Sequence, residues 1–242
     1  MKAKPMAACS AIVLAASSVL AEPPPPAPPA PPAAETALDA AEAAEDVRIL
    51  RKALTDYPPG WARYVSAEAM NLAFDDLERD TAGGVTDLEL HYRVSRITAM
   101  MRCDHTIAEV PPRIVAWRSE HPTHLPFRLD IRDGRAFIAR ADEGQPVLQQ
   151  GDEIIAINSI PIGRLIAEVN PLIGIDGFTE SARGAVLEYS SEIPSGAIDA
   201  FYPALHGYAD SFTIDVRRAA ASDTWHRRRA TVKAVTYPRY TE

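Results

Sequence analysis

Few side chains in this sequence could perform covalent chemistry. A Ser–Lys pair requires a lysine whose amine is desolvated enough to accept the serine proton. Beyond Lys4 the only lysines are Lys52 and Lys233, and neither lies near a serine in a turn that could present a nucleophile. No GxSxG nucleophile elbow occurs, so Ser195 between a proline and a glycine is interpreted as a loop residue. The sequence therefore predicts no catalytic residue.

Metal ligands and cofactor motifs are equally sparse. The close pairs are Cys103 with His105 and His121 with His124. Zinc takes three or four converging nitrogen and sulfur ligands, and neither pair has a partner pair at a familiar spacing. No glycine-rich phosphate cradle appears. We therefore predict no metal site and no cofactor.

Composition and charge limit the partners. The chain has 242 residues, 47% of them hydrophobic, and a formal net charge of −8. This composition is globular and sufficient for one or two cores. The acidic balance argues against nucleic acid and anionic membranes as partners.

The first residues are typical of an export signal. Lys2 and Lys4 precede an apolar run from Met6 to Leu20, and Ala21 completes a small-residue cleavage site. The run is short for a bilayer span. We expect cleavage after Ala21, a periplasmic or secreted protein, and no stable membrane insertion afterwards.

The expected domains follow in order. Residues 1–21 are the signal peptide, and the proline-rich residues 22–34 form an extended linker. A small helical domain is expected over residues 35–110, and a strand-rich domain over residues 123–238 with a helical insertion at about residues 176–207.

Helical periodicity and capping signals define the first domain. Ser66 begins one helix, and Thr86 with Glu89 forms a capping box that begins another. Apolar residues recur at helical spacing in three segments: Val47, Leu50 and Leu54; Met70, Phe74 and Leu77; Leu90, Val94, Ile97 and Met101. Such stripes must be buried against each other or a neighbour.

Period-two alternation then replaces the helical period. Phe127, Leu129 and Ile131 alternate with polar residues, and Asp133-Gly134 is a hairpin-turn dipeptide. Residues 135–141 would be the return strand, followed by a buried strand at residues 152–158 and two late strands.

The segment VLQQGDEIIAINSIPIG, residues 147–163, resembles the PDZ domains of secreted and periplasmic serine peptidases. Residues 50–237 resemble the N-terminal half of the tail-specific (C-terminal-processing) serine peptidases. The matching pieces, in order, are YPPGWARYVS, MMRCDHTIAEVP, LPFRLDIRDGRAFIA, QQGDEIIAINSIPIG and IDGFTESARGAVLEY. The resemblance implies an α+β fold: a helical domain followed by a PDZ-like β-sandwich or partly open barrel with a helical insertion.

The sequence departs from that family in three places. Asp104 before His105 and Ser159 after Asn158 stand where relatives usually have glycine. In the family, a catalytic core with its nucleophilic serine and general-base lysine follows the PDZ domain, at about the point where this chain ends at Glu242. We therefore expect the chain alone to capture polypeptide without cleaving it.

The resemblance also suggests where peptide would bind. The helix at residues 164–170 would form one wall of a groove, with Leu165, Ile166 and Val169 as peptide-binding side chains. The alternative is that these three side chains fill the core. The family's ligand-carboxylate site uses amides in a turn near the start of the domain, which the sequence does not locate. The expected partners are polypeptide segments or protein C-termini.

Two other functions remain open from the sequence. The chain could be a non-catalytic interaction or regulatory protein whose PDZ-like domain docks a partner. It could also be a hydrolase with a site of unfamiliar pattern.

Overall fold

A computed structural model describes residues 35–56, 61–142, 144, 146–188, 196–219 and 225–236. The predicted signal peptide and proline-rich linker lie outside the described residues, as does part of the predicted insertion. Among the described residues, no helix combines the length and the apolar character needed to cross a bilayer.

The N-terminal region is helical because its capping signals and apolar stripes agree. It comprises α1 (Ala40–Asp56), α2 (Ala67–Thr81), α3 (Asp87–Met100) and α4 (Pro112–Glu120). The Ser66 hydroxyl accepts a hydrogen bond from the amide of Ala69, and the Thr86 hydroxyl accepts one from the amide of Glu89. Both predicted helix starts are therefore correct.

The predicted stripes of the first three helices meet in one core. Its buried members are Val47, Met70, Phe74, Leu77, Ile97 and Met101. Helix α4 and the two-residue strands β1 (Ala37–Leu38) and β2 (Val85–Thr86), which pair antiparallel, were not anticipated. Pro111 and Pro112 open α4, where a missing amide proton is tolerated.

A six-stranded antiparallel sheet forms the second region. Its strands are β3 (Phe127–Arg132), β4 (Arg135–Ala141), β5 (Glu153–Ile157), β6 (Ile160–Pro161), β7 (Ser211–Ala219) and β8 (Trp225–Lys233). The order is β3-β4-β5-β7-β8, with the short β6 paired to β5. Thus β3 and β8 are the edge strands.

The hairpin between β3 and β4 forms as its turn residues predict. Asp133 and Gly134 have φ values of 51° and 72°, the left-handed conformation that a two-residue hairpin turn needs. Register follows from this turn, and it places Ile131 opposite Ala136.

Helices cover this sheet. They are α5 (Ile162–Val169), a 3₁₀ turn (Asn170–Leu172), α6 (Ala182–Glu188) and α7 (Ala197–His206). Helices α6 and α7 belong to the inserted segment, residues 176–207, and α6 packs against β3.

The α+β fold is confirmed. In the described part of the chain the sheet does not close into a barrel. One antiparallel bridge, between His124 and Val235, joins the segments that flank the two edge strands. The sheet is therefore curled and open, as the expectation of a partly open barrel allows.

Candidate functional site

The three side chains predicted to bind peptide lie in the core. Leu165, Ile166 and Val169 on α5 are 1%, 8% and 1% exposed and belong to the main apolar cluster. The strongly apolar face of α5 is buried because it packs on β4 and β5. Of the two alternatives, the structure thus shows the core packing, and a peptide-binding role for these residues stays a prediction.

The edge of β3 is the clearest place for a strand-like ligand, and α6 lies against it. The amide of Ile131 points away from β4 and donates to Oε1 of Glu188 at 2.5 Å. A side-chain Cβ built on Gly184 would lie 3.6 Å from the carbonyl oxygen of Ile131. Both backbone polar groups of Ile131 therefore face α6.

A buried charged cluster lies where the chain enters β3. Asp199 on α7 accepts hydrogen bonds from the amide of Leu125 at 3.0 Å and from the ring of His124. Arg118 of α4 completes the cluster by donating to the backbone carbonyls of Asp199 and Ala200.

The electrostatics of Asp199 follow from this setting. Burial by itself would raise the pKa of its carboxyl group, because desolvation penalises the charged form. The charge and hydrogen bond of His124, then Arg118 and the Leu125 amide, outweigh burial and hold that pKa below its usual value. Asp199 is thus a carboxylate that anchors α7 to the start of β3.

The turn after β5 also anchors the inserted segment. Asn158 and Ser159 have φ values of 49° and 66°. The Asn158 side chain accepts from the amide of Thr213 and donates to the hydroxyl of Tyr202 on α7, both at 2.8 Å. Ser159 therefore occupies a left-handed position, the conformation for which glycine is the usual residue.

A cleft of about 570 Å³ separates the helical region from the inserted segment. Phe178 is 75% exposed, stacks edge-on against Tyr64 with centroids 5.6 Å apart, and lies under the Arg102 guanidinium at 4.6 Å. Arg102 also pairs with Glu180. These contacts hold the start of the inserted segment, at Phe178 and Glu180, against Tyr64 and Arg102 of the helical region.

One group of possible metal ligands was missed by the spacing argument. Asp176 meets Cys103, Asp104 and His105, and one ligand atom of each lies within 4.8 Å of the others. The Asp176 carboxylate accepts from the amide of Asp104 at 3.0 Å. The two aspartates and His105 are exposed, and exposed charged groups cluster in this way without a metal.

The two lysines within the described residues, Lys52 and Lys233, lie in surface positions. Lys52 on α1 pairs with Asp56 and is 64% exposed. Lys233 in β8 faces Ser211 of β7 across the sheet, a pairing that the sequence did not reveal, and both residues are exposed. Lys233 therefore lacks the desolvation that a lysine general base requires.

Comparison with known proteins agrees with this architecture. Residues 121–235 match the family model of the PDZ domain. A search of curated proteins found no significant match.

Among solved structures, CPAF is similar over most of the chain. Mature CPAF is 14% identical with a TM-score of 0.48, covering 79% of this chain and 34% of that one. A CPAF mutant with serine replaced by alanine is 14% identical with a TM-score of 0.50, covering 81% and 34%. This chain thus spans about a third of the length of the structures it matches.

At 14% identity these likenesses concern the fold alone. The residues that match the PDZ domain model, 121–235, follow a helical region.

Proposed function

We propose that this chain is an exported, polypeptide-capturing portion of a protein of the tail-specific serine peptidase family. PDZ domains bind peptide by strand addition: the ligand exchanges backbone hydrogen bonds with a strand edge, and pockets take alternate side chains. The observation that carries the proposal is the edge of β3, where Ile131 directs its amide outward to an acceptor instead of to another strand.

Two sequence features support the remaining parts of this proposal. The basic and apolar start of the chain supports export. The ordered resemblance from the YPPGWARYVS segment to the PDZ domain supports the peptidase family. Capture without cleavage is proposed because a Ser–Lys pair requires a desolvated lysine as its general base, whereas Lys52 and Lys233, the lysines that the structure describes, are exposed.

Calorimetric titration tests polypeptide capture. The purified chain is titrated with reduced, carboxymethylated α-lactalbumin, which is unfolded, and with the native form as the matched control. We expect binding of the unfolded form only, because a folded protein offers few free strand segments. Equal binding of both forms, or of neither, would contradict capture.

A cleavage assay tests the non-catalytic part. Casein incubated with the chain should remain intact. Cleavage that a serine-directed inhibitor abolishes would show that the chain carries a working serine peptidase site.

A further inference from the structure

The inserted segment places two carboxylates on amides of the β3 edge and its entry. Glu188, the last residue of α6, accepts from the amide of Ile131 near the C-terminal end of β3. Asp199 in α7 accepts from the amide of Leu125, two residues before β3 begins. A peptide carbonyl or a terminal carboxylate is the group that an added strand would bring to such amides.

Helix α6 also buries an apolar side chain next to Glu188 in the sequence. Leu187, beside Glu188, is 3% exposed and belongs to the main core cluster. A strand-adding ligand offers a comparable combination, with a backbone carbonyl as the acceptor in place of the Glu188 carboxylate and an apolar side chain next to it. Helix α6 therefore occupies the β3 edge in the manner of a ligand.

The two carboxylates are held with unequal strength. Asp199 is 4% exposed and also interacts with His124 and Arg118, so its release would leave buried charges without compensation. Glu188 is only partly buried. Helix α6 has seven residues, a length at which a helix has little stability of its own. The α6 end of the edge is thus the one that can open.

The direction of an added strand decides what each end would recognise. A ligand running antiparallel to β3 places its C-terminal end beside the N-terminal end of β3, next to Leu125. There Asp199 already accepts from the Leu125 amide and is already paired with His124 and Arg118. A terminal carboxylate would therefore have to compete with the Asp199 carboxylate for the same partners and would be repelled by it.

We propose that the β3 edge binds an internal extended polypeptide segment that displaces α6, and that it does not recognise a free C-terminal carboxylate. This inference rests on the proposed function and specifies its ligand. The bound segment would replace the hydrogen bond between Glu188 and Ile131. The hydrogen bond between Asp199 and Leu125 would remain in place.

Fluorescence anisotropy with the full chain tests the inference. The probes are two fluorescein-labelled, unstructured 14-residue peptides of one sequence rich in valine, leucine and threonine, ending in a free carboxylate or an amide. The proteins are the unaltered chain, Glu188→Ala, Glu188→Gln and the control Glu109→Ala, which removes an exposed carboxylate elsewhere. Thermal unfolding verifies that each variant is folded, and hydrogen exchange follows the Ile131 amide.

The expected results separate the two halves of the inference. Glu188→Ala should bind both peptides about threefold to tenfold more tightly, because one competing hydrogen bond is lost. Glu188→Gln, whose amide oxygen still accepts, and Glu109→Ala should bind like the unaltered chain. The free-acid and amidated peptides should agree within about twofold, and peptide should protect the Ile131 amide in Glu188→Ala.

Each contrary result has a distinct meaning. Unchanged affinity in Glu188→Ala, or an Ile131 amide that peptide does not protect, would overturn displacement of α6 while leaving peptide capture in place. About tenfold tighter binding of the free acid would overturn the claim about the carboxylate. Absence of binding by every folded variant would overturn the proposed function itself.

Discussion

Nδ1 of His124 lies 2.5 Å from Oδ2 of Asp199, and the two side chains are 4% and 5% exposed. His124 precedes β3, whereas Asp199 lies in the inserted helix α7, 75 positions later. Arg118 lies beside them, with Nη2 3.8 Å from the same carboxylate oxygen. The inserted segment is thus fastened to the entry of the sheet by a buried charged cluster.

Removing the carboxylate from this cluster should be strongly destabilising. We expect Asp199→Ala to lower the free energy of unfolding by about 3–5 kcal/mol, because buried Arg118 would lose its counter-ion and the buried Leu125 amide would lose its acceptor. Urea unfolding at pH 7 measures this. The control is Asp215→Ala, which breaks the more exposed pair with Arg229 and should cost less than about 1 kcal/mol. Equal losses in the two variants would contradict the role given to Asp199.

Acid should remove a second electrostatic contribution, that of Glu153. Its carboxylate accepts from Arg135 at 2.8 and 2.7 Å and from Arg217 at 2.7 Å. The hydrogen bond from Arg135 chiefly lowers the pKa of Glu153, burial opposes this, and Arg217 adds to the lowering. A carboxyl group with a lowered pKa stabilises the fold above its unfolded pKa, about 4.3, and this stability is lost as pH falls through the folded value.

The corresponding measurement compares Glu153→Gln with the unaltered chain by urea unfolding between pH 7 and pH 3. We expect the free energy of unfolding of Glu153→Gln to be about 1 kcal/mol lower at pH 7. The difference is small because Arg135 and Arg217 are partly exposed, and solvent screens their charges. This difference in the free energy of unfolding should stay constant down to about pH 5 and shrink below about pH 4. Glu109→Gln, at an exposed position, should show almost none. A deficit that persists unchanged near pH 3 would show that the ionised form of Glu153 is not what stabilises the sheet.

The turn between β5 and β6 should gain stability from glycine. Ser159 has a φ of 66°, which costs a non-glycine residue about 1 kcal/mol or more. Replacing serine with glycine removes this backbone strain, but glycine also has more conformational freedom in the unfolded chain, which offsets part of the gain in stability. We expect Ser159→Gly to stabilise by up to about 1 kcal/mol, measured as a rise in Tm.

A matched serine-to-glycine change in a helix should lower the stability of the protein instead of raising it. Ser119 lies in helix α4, where glycine should destabilise by about 0.5–1 kcal/mol. A fall in Tm for both variants would mean that the left-handed turn is not strained by serine.

Local features of the fold were predictable because their causes are local. The Asp133-Gly134 turn dictates a tight hairpin whichever partners surround it. Ser66 and Thr86 begin helices because their hydroxyls accept from amides three residues later. The helix at α5 and its apolar face also follow from spacing alone.

The candidate site could not be predicted, because it is formed by contacts between residues far apart in the sequence. Glu188 meets Ile131 across 57 positions, and Asp176 meets Asp104 across 72. Neither carboxylate is distinguishable in the sequence from the solvated acids around it. The apolar face of α5 was ambiguous for a related reason, since a groove wall and a core-filling face have the same periodicity.

Capture of extended polypeptide along β3 is the function that we propose for residues 121–235, which match the PDZ domain model. Its most direct test is an amide ¹H–¹⁵N NMR titration of the labelled chain with the amidated 14-residue peptide. The largest shift changes should fall on β3 (Phe127–Arg132) and α6 (Ala182–Glu188). Shift changes confined to the cleft around Phe178 and Arg102, with β3 unaffected, would contradict it.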